Sequence, residues 1–346
     1  MHSNMIETRL ITLPHGITLS CRLAGQPGRP VLMFLHGFPE GAFVWDMLLA
    51  HFSLPENGGY FCIAPNLRGF EKSSAPPEAE AYRPKHLMQD IAALIAAVCS
   101  EERGGSSTQQ GPRVRLRRPA GAAAPSGGRE LHAVSDRGGQ LACLVAHDWG
   151  GAIAWNLGAA MPQLMKKLAI INSPHPGTFL RELQHSPAQQ AASAYMNFLI
   201  RPDAEALLAK DDFRRLWQFL TNGGESQPAW LTESVRDQYR EVWRAGLIGG
   251  CNLYRASPLR PPRPGPPHHD PAAAGVTLAR ERLMVLLPTL VIWALDDIAL
   301  PPALIDGLAG YVPDMQLRQE PGASHWIVHE QPGRVIAHLE DFLDQA

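Results

Sequence analysis

The sequence contains the segment LACLVAHDWGG at residues 141–151, where an apolar run stops at a turn of small residues. The residues that follow, including Ala152, Ile153 and Leu157, have helical spacing. Small residues two positions before and two positions after Asp148 allow the sharp strand-to-helix turn in which the backbone is crowded at both places. The segment therefore predicts a buried strand, a turn that exposes the side chain of Asp148, and a helix.

Similar apolar runs recur on both sides of this segment and alternate with helical patterns. Apolar runs that predict strands lie at residues 31–35, 60–64, 168–171 and 290–294, and residues 17–23 predict a strand by the alternation of apolar and polar residues. Helical spacing is found at residues 87–98 and 335–343. Strands with helices between them are typical of a parallel sheet that is covered on both faces. The predicted fold class is therefore α/β, with functional groups collected past the carboxyl ends of the strands.

Three segments depart from this alternation. Residues 173–257 lack strand patterns and contain aromatic-rich helical stretches, which predicts a helical insertion in the α/β core. Residues 101–140 are rich in Gly, Ser, Arg, Pro and Ala, and we expect a disordered insertion there. Residues 258–283 begin with a proline-rich run that predicts a stiff linker back to the core. The core is thus predicted at residues 1–172 and 284–346.

Charge and cysteine content restrict the partners and the compartment. The 31 basic and 33 acidic residues give a formal net charge of −2, which favours neither nucleic acid nor an anionic membrane. Five scattered cysteines without CxxC spacing indicate buried thiols in a reducing compartment. No apolar run has the length of a membrane span, and residues 1–7 do not resemble a secretory signal. These features predict a cytoplasmic protein with a small-molecule substrate and leave a homo-oligomer open.

Two clusters of charged or potentially metal-ligating residues are predicted to have no binding function. Arginines at positions 113, 115, 117 and 118 have no accompanying apolar face or aromatic residues, so we expect a solvated loop rather than a polyanion-binding patch. The neighbours His268, His269 and Asp270 point apart on an extended chain, so we expect no metal site there.

The aspartate in the turn suggests chemistry that a serine would not perform. A carboxylate is ionised at neutral pH, and it suits displacement at a saturated carbon better than attack on an acyl carbon. The product is an ester of the enzyme, which water must then hydrolyse. As a nucleophile, Asp148 predicts epoxides or alkyl halides as substrates; its alternative role is that of a helix N-cap.

Hydrolysis of such an ester requires an oxyanion hole. The motif His36-Gly37-Phe38-Pro39-Glu40 follows an apolar run and supplies a glycine-containing loop at a strand end. We expect the backbone N–H of Phe38 to join that of Trp149 in holding the oxyanion. The alternative is an ordinary exit from a strand into a turn.

Hydrolysis also requires a base and an acid that orients it. One of Asp296 and Asp297, which follow the run at residues 290–294, is expected to orient a histidine. His325 is the expected general base for water. Among fourteen histidines, it is favoured by the chain order of nucleophile, acid and histidine.

Together these motifs resemble the α/β-hydrolase fold and, within it, the epoxide hydrolase family. The resemblance covers most of the chain outside residues 101–140 and 258–271. In that family the acid stands three residues after a small residue at the strand end. Ala294 occupies that place, so the resemblance selects Asp297 rather than Asp296.

The resemblance also implies that the helical insertion is a cap whose tyrosines bind the epoxide oxygen. Ring opening creates an alkoxide, which a phenol O–H can stabilise or protonate. The motif Asn252-Leu253-Tyr254-Arg255 resembles the second tyrosine motif of the family, and Tyr195 stands near the first. Tyr239 lies in a charged amphipathic stretch, so we expect it to serve in packing.

Further expectations concern the substrate contacts and the departures from the family. The residues expected to contact substrate are His36, Pro39, Trp149 and Trp326, and no metal or cofactor is expected. The family usually has Gly at the position of Ala146, and Ala is small enough for the turn to form. It has only a short turn where residues 101–140 lie in this chain.

Two alternatives to an epoxide hydrolase remain open. A dehalogenase would use the same Asp148, His325 and Asp297 but would need N–H donors for a departing halide. Dehalogenases that resemble this fold usually have a polar residue where Phe38 stands, which favours the epoxide. A non-catalytic ligand-binding relative is the third possibility, and the long insertion is the feature in its favour.

Overall fold

The computed structural model describes residues 6–100, 139–224, 227–263 and 272–345. Nearly all of the predicted insertion at residues 101–140, including its arginine cluster, lies outside the described residues. The same holds for His268, His269 and Asp270. The expectations for these segments therefore stay predictions.

An eight-stranded sheet forms the centre of the described chain, in the order β1-β2-β4-β3-β5-β6-β7-β8. Its strands are β1 (Glu7–Thr12), β2 (Thr18–Ala24), β3 (Val31–Leu35), β4 (Phe61–Pro65), β5 (Cys143–His147), β6 (Leu168–Ile171), β7 (Thr289–Ala294) and β8 (Met315–Glu320). The pairs β1–β2 and β2–β4 are antiparallel, and all other neighbouring pairs are parallel. The predicted mostly parallel α/β fold is confirmed.

The burial of the strands explains why some could be predicted and others not. Every residue of β3, β4, β5, β6 and β7 is buried, because helices cover both faces of a parallel sheet. Their sequences are therefore continuous apolar runs. Strand β1 is an edge strand with nearly all residues exposed, and its sequence ETRLIT carries no such run. That strand was not predicted.

Helices pack against both faces of the sheet and fill the long connection from β6 to β7. Their bounds are α1 (Asp46–Phe52), α2 (Pro84–Ser100), α3 (Asp148–Ala160), α4 (Pro176–His185), α5 (Pro187–Ala192), α6 (Tyr195–Leu199), α7 (Ala204–Leu208), α8 (Lys210–Leu220), α9 (Glu233–Ala245), α10 (Ile248–Ala256), α11 (Ile327–Glu330) and α12 (Pro332–Leu343). Helices α4 to α10 fall within residues 173–257. We refer to this segment as the cap, and its assignment as a separate domain stays a prediction. None of the helices in the described ranges combines the length and apolarity needed to cross a membrane.

The described part of the predicted linker packs against helix α4 and does not extend freely into solvent. Short 3-10 helices form at Ala272–Gly275 and Arg280–Arg282. Ala273 joins Leu180 and Leu183 of α4 in a small apolar cluster. The segment therefore packs against α4 as the chain returns to β7.

Candidate active site

The turn between β5 and α3 has the strained backbone that the sequence predicts. Asp148 has a φ of 50°, which places a non-glycine residue in the left-handed region. A Cβ on Gly150 would lie 2.4 Å from the carbonyl oxygen of Leu35, so only glycine fits there. Ala146 is fully buried at the position where Gly was expected, and its methyl group is accommodated. The turn thus raises the Asp148 carboxylate above the carboxyl ends of the strands.

The loop after β3 approaches this carboxylate from one side. The backbone N–H of Phe38 donates a hydrogen bond to Oδ1 of Asp148 at 2.8 Å. A Cβ on Gly37 would lie 2.1 Å from the same oxygen, so glycine is required for this approach. The Phe38–Pro39 peptide bond is cis. The loop therefore holds Oδ1 of Asp148, and Oδ2 faces the Nε2 atom of His325.

His325 stands between two carboxylates. Its Nδ1 lies 2.6 Å from Oδ2 of Asp297, and its Nε2 lies 3.6 Å from Oδ2 of Asp148. Asp297 is buried, whereas Asp296 is exposed to solvent. The structure thus brings together the three predicted residues Asp148, His325 and Asp297.

Asp297 is held as an anion by several donors. The backbone N–H groups of Ala299 and Leu300 donate to its Oδ1 at 2.8 and 2.9 Å, and the Asn172 amide donates to Oδ2 at 3.0 Å. Burial alone would raise the pKa of Asp297, but the charge of His325 and the hydrogen bonds from His325, Leu300 and Ala299 lower it below the usual value. The carboxylate is therefore held as an anion in a fixed orientation.

The electrostatics of His325 favour its protonated form in the free site. Burial would lower the pKa of His325, but Asp297 and Asp148 outweigh burial and raise it well above 6.5. The raised pKa depends in part on the negative charge of Asp148. Any reaction that neutralises that carboxylate would remove one of its two causes.

The two predicted cap tyrosines lie near Asp148, whose negative charge contributes to the rise of their pKa. Tyr254 is 2% exposed, and its ring contacts those of Phe38 and Trp149 at centroid distances of 5.6 and 5.0 Å. The rings of Tyr195 and Tyr254 are 6.0 Å apart. Burial raises the pKa of both phenols above 10, so each keeps its O–H at neutral pH.

Two cavities meet at these residues, because Asp148, Tyr195 and Tyr254 line both of them. The larger cavity has a volume of about 530 Å³ and also includes Pro39, His325 and Trp326 in its wall. The smaller one has a volume of about 190 Å³. Its further apolar lining includes Leu87, Trp149, Phe179, Met196, Leu259 and Leu283.

One predicted substrate contact is corrected by the geometry. His36 is fully buried and lines neither cavity, and its Nε2 accepts a hydrogen bond from the backbone N–H of Leu67 at 3.1 Å. Its Nδ1 lies 2.8 Å from the carbonyl oxygen of Gly37. The ring therefore supports the loop after β3 from beneath. A histidine directly after a buried strand gave no signal that would distinguish these two roles.

Sequence reasoning did not single out Asn172 and Ser173, which follow β6. Asn172 donates to Asp297 and accepts from the N–H of Ala294 at 2.8 Å. Ser173 donates from Oγ to the carbonyl oxygen of Asp148 at 2.7 Å. Their position after a predicted strand was the available signal, since the carboxyl ends of parallel strands share one edge.

A largely buried polar cluster connects helix α9 to the backbone of His325. Oε2 of Glu40 lies 3.0 Å from Nδ1 of His147. Oε1 of Glu40 accepts a hydrogen bond from the hydroxyl of Tyr239 at 3.1 Å, and it also lies 3.2 Å from Nε2 of His329. His147 in turn lies 2.9 Å from the carbonyl oxygen of His325 through Nε2. Burial opposes the charge of Glu40, but the two histidines lower its pKa well below 4.5. We call Glu40, His147, Tyr239 and His329 the Glu40 cluster.

The aromatic residues of the cap divide between its interior and the cavity. Phe219 lines the larger cavity. Trp217 and Trp243 pack together at a centroid distance of 4.4 Å. Trp230 stacks on the His329 ring at 4.5 Å. Tyr239 packs among these rings as predicted, and its hydroxyl also belongs to the Glu40 cluster.

Comparison with known proteins identifies the family of this chain and several proteins that it resembles. The model of the alpha/beta hydrolase family matches residues 32–338. The AB hydrolase superfamily protein YfhM of Bacillus subtilis is 28% identical, with 95% of each chain covered. Epoxide hydrolase 4 of Mus musculus is 26% identical, with 93% of this chain and 75% of the relative covered.

Solved structures give the same result. A structure reported among novel epoxide hydrolases of the alpha/beta hydrolases superfamily, from metagenomes of hot environments, is 30% identical to this chain. It superposes with a TM-score of 0.75, and the match covers 99% of this chain and 100% of that one. The similarity therefore extends through the sheet, the insertion between β6 and β7, and the site.

Proposed function

Because this chain belongs to the alpha/beta hydrolase family and, within it, to the epoxide hydrolases, we propose that it opens epoxides through a covalent ester on Asp148. The product is a vicinal diol. Support comes from one arrangement above all: a carboxylate, the histidine beside it and two protonated phenols line the same cavity. Each of these groups has a separate task in the reaction.

In the first step, Oδ2 of Asp148 attacks one carbon of the epoxide and the C–O bond of the ring breaks. The N–H of Phe38 holds Oδ1, so Oδ2 is the oxygen free to attack. The departing epoxide oxygen takes a proton from a tyrosine O–H and becomes the first hydroxyl group. Tyr195 and Tyr254 are suited to this task because burial keeps both phenols protonated until an alkoxide forms beside them.

Formation of the ester prepares the base. The ester has no charge on Asp148, so one of the two causes that raise the pKa of His325 is removed. The tyrosinate left by the first step has a much higher proton affinity and recovers the proton that His325 gives up. His325 is then neutral at Nε2, while Asp297 keeps Nδ1 protonated.

In the second step, neutral His325 removes a proton from water, and the hydroxide formed attacks Cγ of Asp148. The negative charge then develops on Oδ1, beside the N–H of Phe38, with the N–H of Trp149 as the proposed second donor. Collapse breaks the Cγ–Oδ2 bond, and the alkoxide takes a proton from His325. The second hydroxyl of the diol therefore carries the former Oδ2, and the oxygen of water stays in Asp148. The carboxylic acid then returns its proton to His325.

Intact mass of the His325→Gln protein tests this proposal. Without its base the protein should stall as the ester, so exposure to styrene oxide should add the whole mass of the epoxide. The Asp148→Asn variant, which lacks the nucleophile, should show no adduct. A bromoalkane is the second substrate, since a dehalogenase would instead gain the alkyl group without its halogen.

The outcomes separate the candidate functions. An epoxide adduct that Asp148→Asn abolishes supports ring opening by Asp148. An alkyl adduct alone would favour the dehalogenase, and a folded protein with neither adduct would count against Asp148 as a nucleophile. A single turnover in ¹⁸O-water adds a second check on the active enzyme: the label should be found in Asp148 and not in the diol.

A further inference from the structure

We propose that the larger cavity selects epoxides with a carboxylate at the far end of an apolar chain, and that Arg215 binds this carboxylate. The inference rests on the proposed function, because it adds a substrate class to the same site. It begins from the composition of the cavity wall. Most of the wall of the larger cavity is apolar, including Ala191, Phe198, Phe219 and Ile298.

Hydrogen-bond donors interrupt this apolar wall on one side. Arg215, Gln218 and Asn222 all line the cavity, and all three are exposed. The first two stand three positions apart in α8 and therefore share a helix face, and Asn222 follows the end of the helix. One guanidinium and two amides together supply the N–H donors that a carboxylate accepts.

Charge supports an anion at this place. Arg215 forms no ion pair with any described residue, and its guanidinium lies 5.1 Å from the centroid of the Phe198 ring, which holds it against the cavity wall. Arg214, one residue earlier, pairs with Asp211 at 3.3 Å and lines neither cavity. The carboxylate of the wall is that of Asp148, beside His325. The donor side of the wall therefore carries an unneutralised positive charge.

An amphipathic substrate matches both properties of this cavity. Its epoxide would lie between Asp148 and the tyrosines, and its methylene chain would cover the apolar wall. The carboxylate would reach the donors at the exposed side, where it keeps part of its hydration. Exposure makes the attraction modest and sensitive to salt.

Matched substrates test the proposal directly. Terminal-epoxide carboxylic acids of increasing chain length are compared with their primary amides, which have nearly the same shape and no charge. For the chain length that spans the cavity, kcat/KM should favour the acid by about fivefold at low ionic strength, a size typical of an exposed ion pair. Raising the ionic strength should reduce this preference.

Variants assign the preference to one side chain. Arg215→Gln should reduce the ratio of kcat/KM for the acid to kcat/KM for the amide to about one, while Arg215→Lys should keep part of this preference. Arg214→Gln is the matched control and should behave as the wild-type protein. Equal rates for acids and amides at every length, or a preference that survives in Arg215→Gln, would overturn the proposal.

A binding measurement keeps this test independent of the proposed reaction. Calorimetry on the diol of the best acid and the diol of its amide needs no turnover. The wild-type protein should bind the acid diol more tightly, and Arg215→Gln should bind both equally. Tighter binding without hydrolysis of any epoxide would refute the proposed function alone, and equal binding by the wild-type protein would refute the role of Arg215.

Discussion

Gly37 lies so close to the carboxylate of Asp148 that an added methyl group has no room. We expect Gly37→Ala to displace that carboxylate and to lower kcat/KM for styrene oxide by about 100-fold, as misplacement of a reacting group by 1 Å can do. Steady-state kinetics give the result. Gly333→Ala in α12, where a Cβ meets no atom within 4 Å, is the control that should keep full activity. Comparable rates for the two variants would contradict the role of the loop.

The raised pKa of His325 gives a prediction at the same residue. Asp148→Asn removes one of the two negative charges that raise this pKa, so we expect it to fall while Asp297 keeps it from falling further. Because the folded pKa is raised, protonation of His325 stabilises the fold below about pH 6.5, and this stabilisation is lost as the pH rises through the folded pKa. Titration of the ring nitrogens by NMR measures the shift. An unchanged pKa would mean that Asp148 is not a source of the raised value.

The residues that could be predicted are those with local signals. Asp148 stands in a turn with a recognisable pattern of small residues. Chain order favours His325, and the family resemblance selects Asp297 over Asp296. The roles of Asn172 and Ser173 depend on partners 125 and 25 positions away, and a single sequence does not show such pairs. His36 was predicted to contact substrate, and this prediction was wrong. Its closeness in sequence to Phe38 does not reveal the direction in which its buried ring points.

At the scale of elements, helix α9 of the cap is attached to the core by the hydroxyl of Tyr239. The loss of this hydroxyl in Tyr239→Phe leaves the buried Glu40 and the half-buried His329 with one partner fewer, and we expect the free energy of unfolding to fall by about 1–3 kcal/mol. Urea unfolding measures this change. Tyr311→Phe is the control, since the described residues offer its hydroxyl no hydrogen-bond partner. Equal stabilities of the two variants would argue against a contribution of the Glu40 cluster to the packing of the cap on the core.

Elements were predictable where burial imposes a pattern on the sequence. The five strands buried on both faces appear as apolar runs, and α12 shows one apolar stripe. Strand β1 is held by its pairing with β2 and not by burial, so its residues are free to be polar. The Glu40 cluster was missed for a related reason: its members come from four separate segments, and each has an ordinary interpretation alone.

At the scale of the whole molecule, the two ends that flank residues 101–138 lie next to each other. An ideal Cβ on Gly139 would be 2.7 Å from the Cβ of Cys99, so the end of α2 and the start of the next described segment are in contact. We expect replacement of residues 101–138 by a short Gly-Ser linker to leave kcat/KM within about twofold, because a short connection closes this gap without rearrangement. Kinetics and the thermal midpoint test the variant. Loss of folded protein would show that the replaced segment contributes to the core.

The architecture of the whole molecule was predicted better than its cavities. Alternation of strands and helices, interrupted once by an aromatic-rich helical stretch, specifies the order of the layers. The cavities arise where segments distant in sequence meet, such as α3, α4, α10 and the linker around the smaller cavity. Their volumes depend on how those segments pack against each other, which no local pattern in the sequence encodes.

The position of the two cavities on either side of Asp148 has a stereochemical consequence. A carboxylate that displaces an epoxide oxygen enters from the opposite side, so the attacked carbon is inverted and the other carbon is retained. The cavities differ almost threefold in volume, about 530 against 190 Å³, so a substituent too large for the smaller cavity has room only in the larger one. The two mirror-image forms of a substrate then present different carbons to Oδ2 of Asp148. For the proposed reaction, we therefore expect the shape of the cavities to set the chirality of the diol, and widening the smaller cavity should lower the enantiomeric excess.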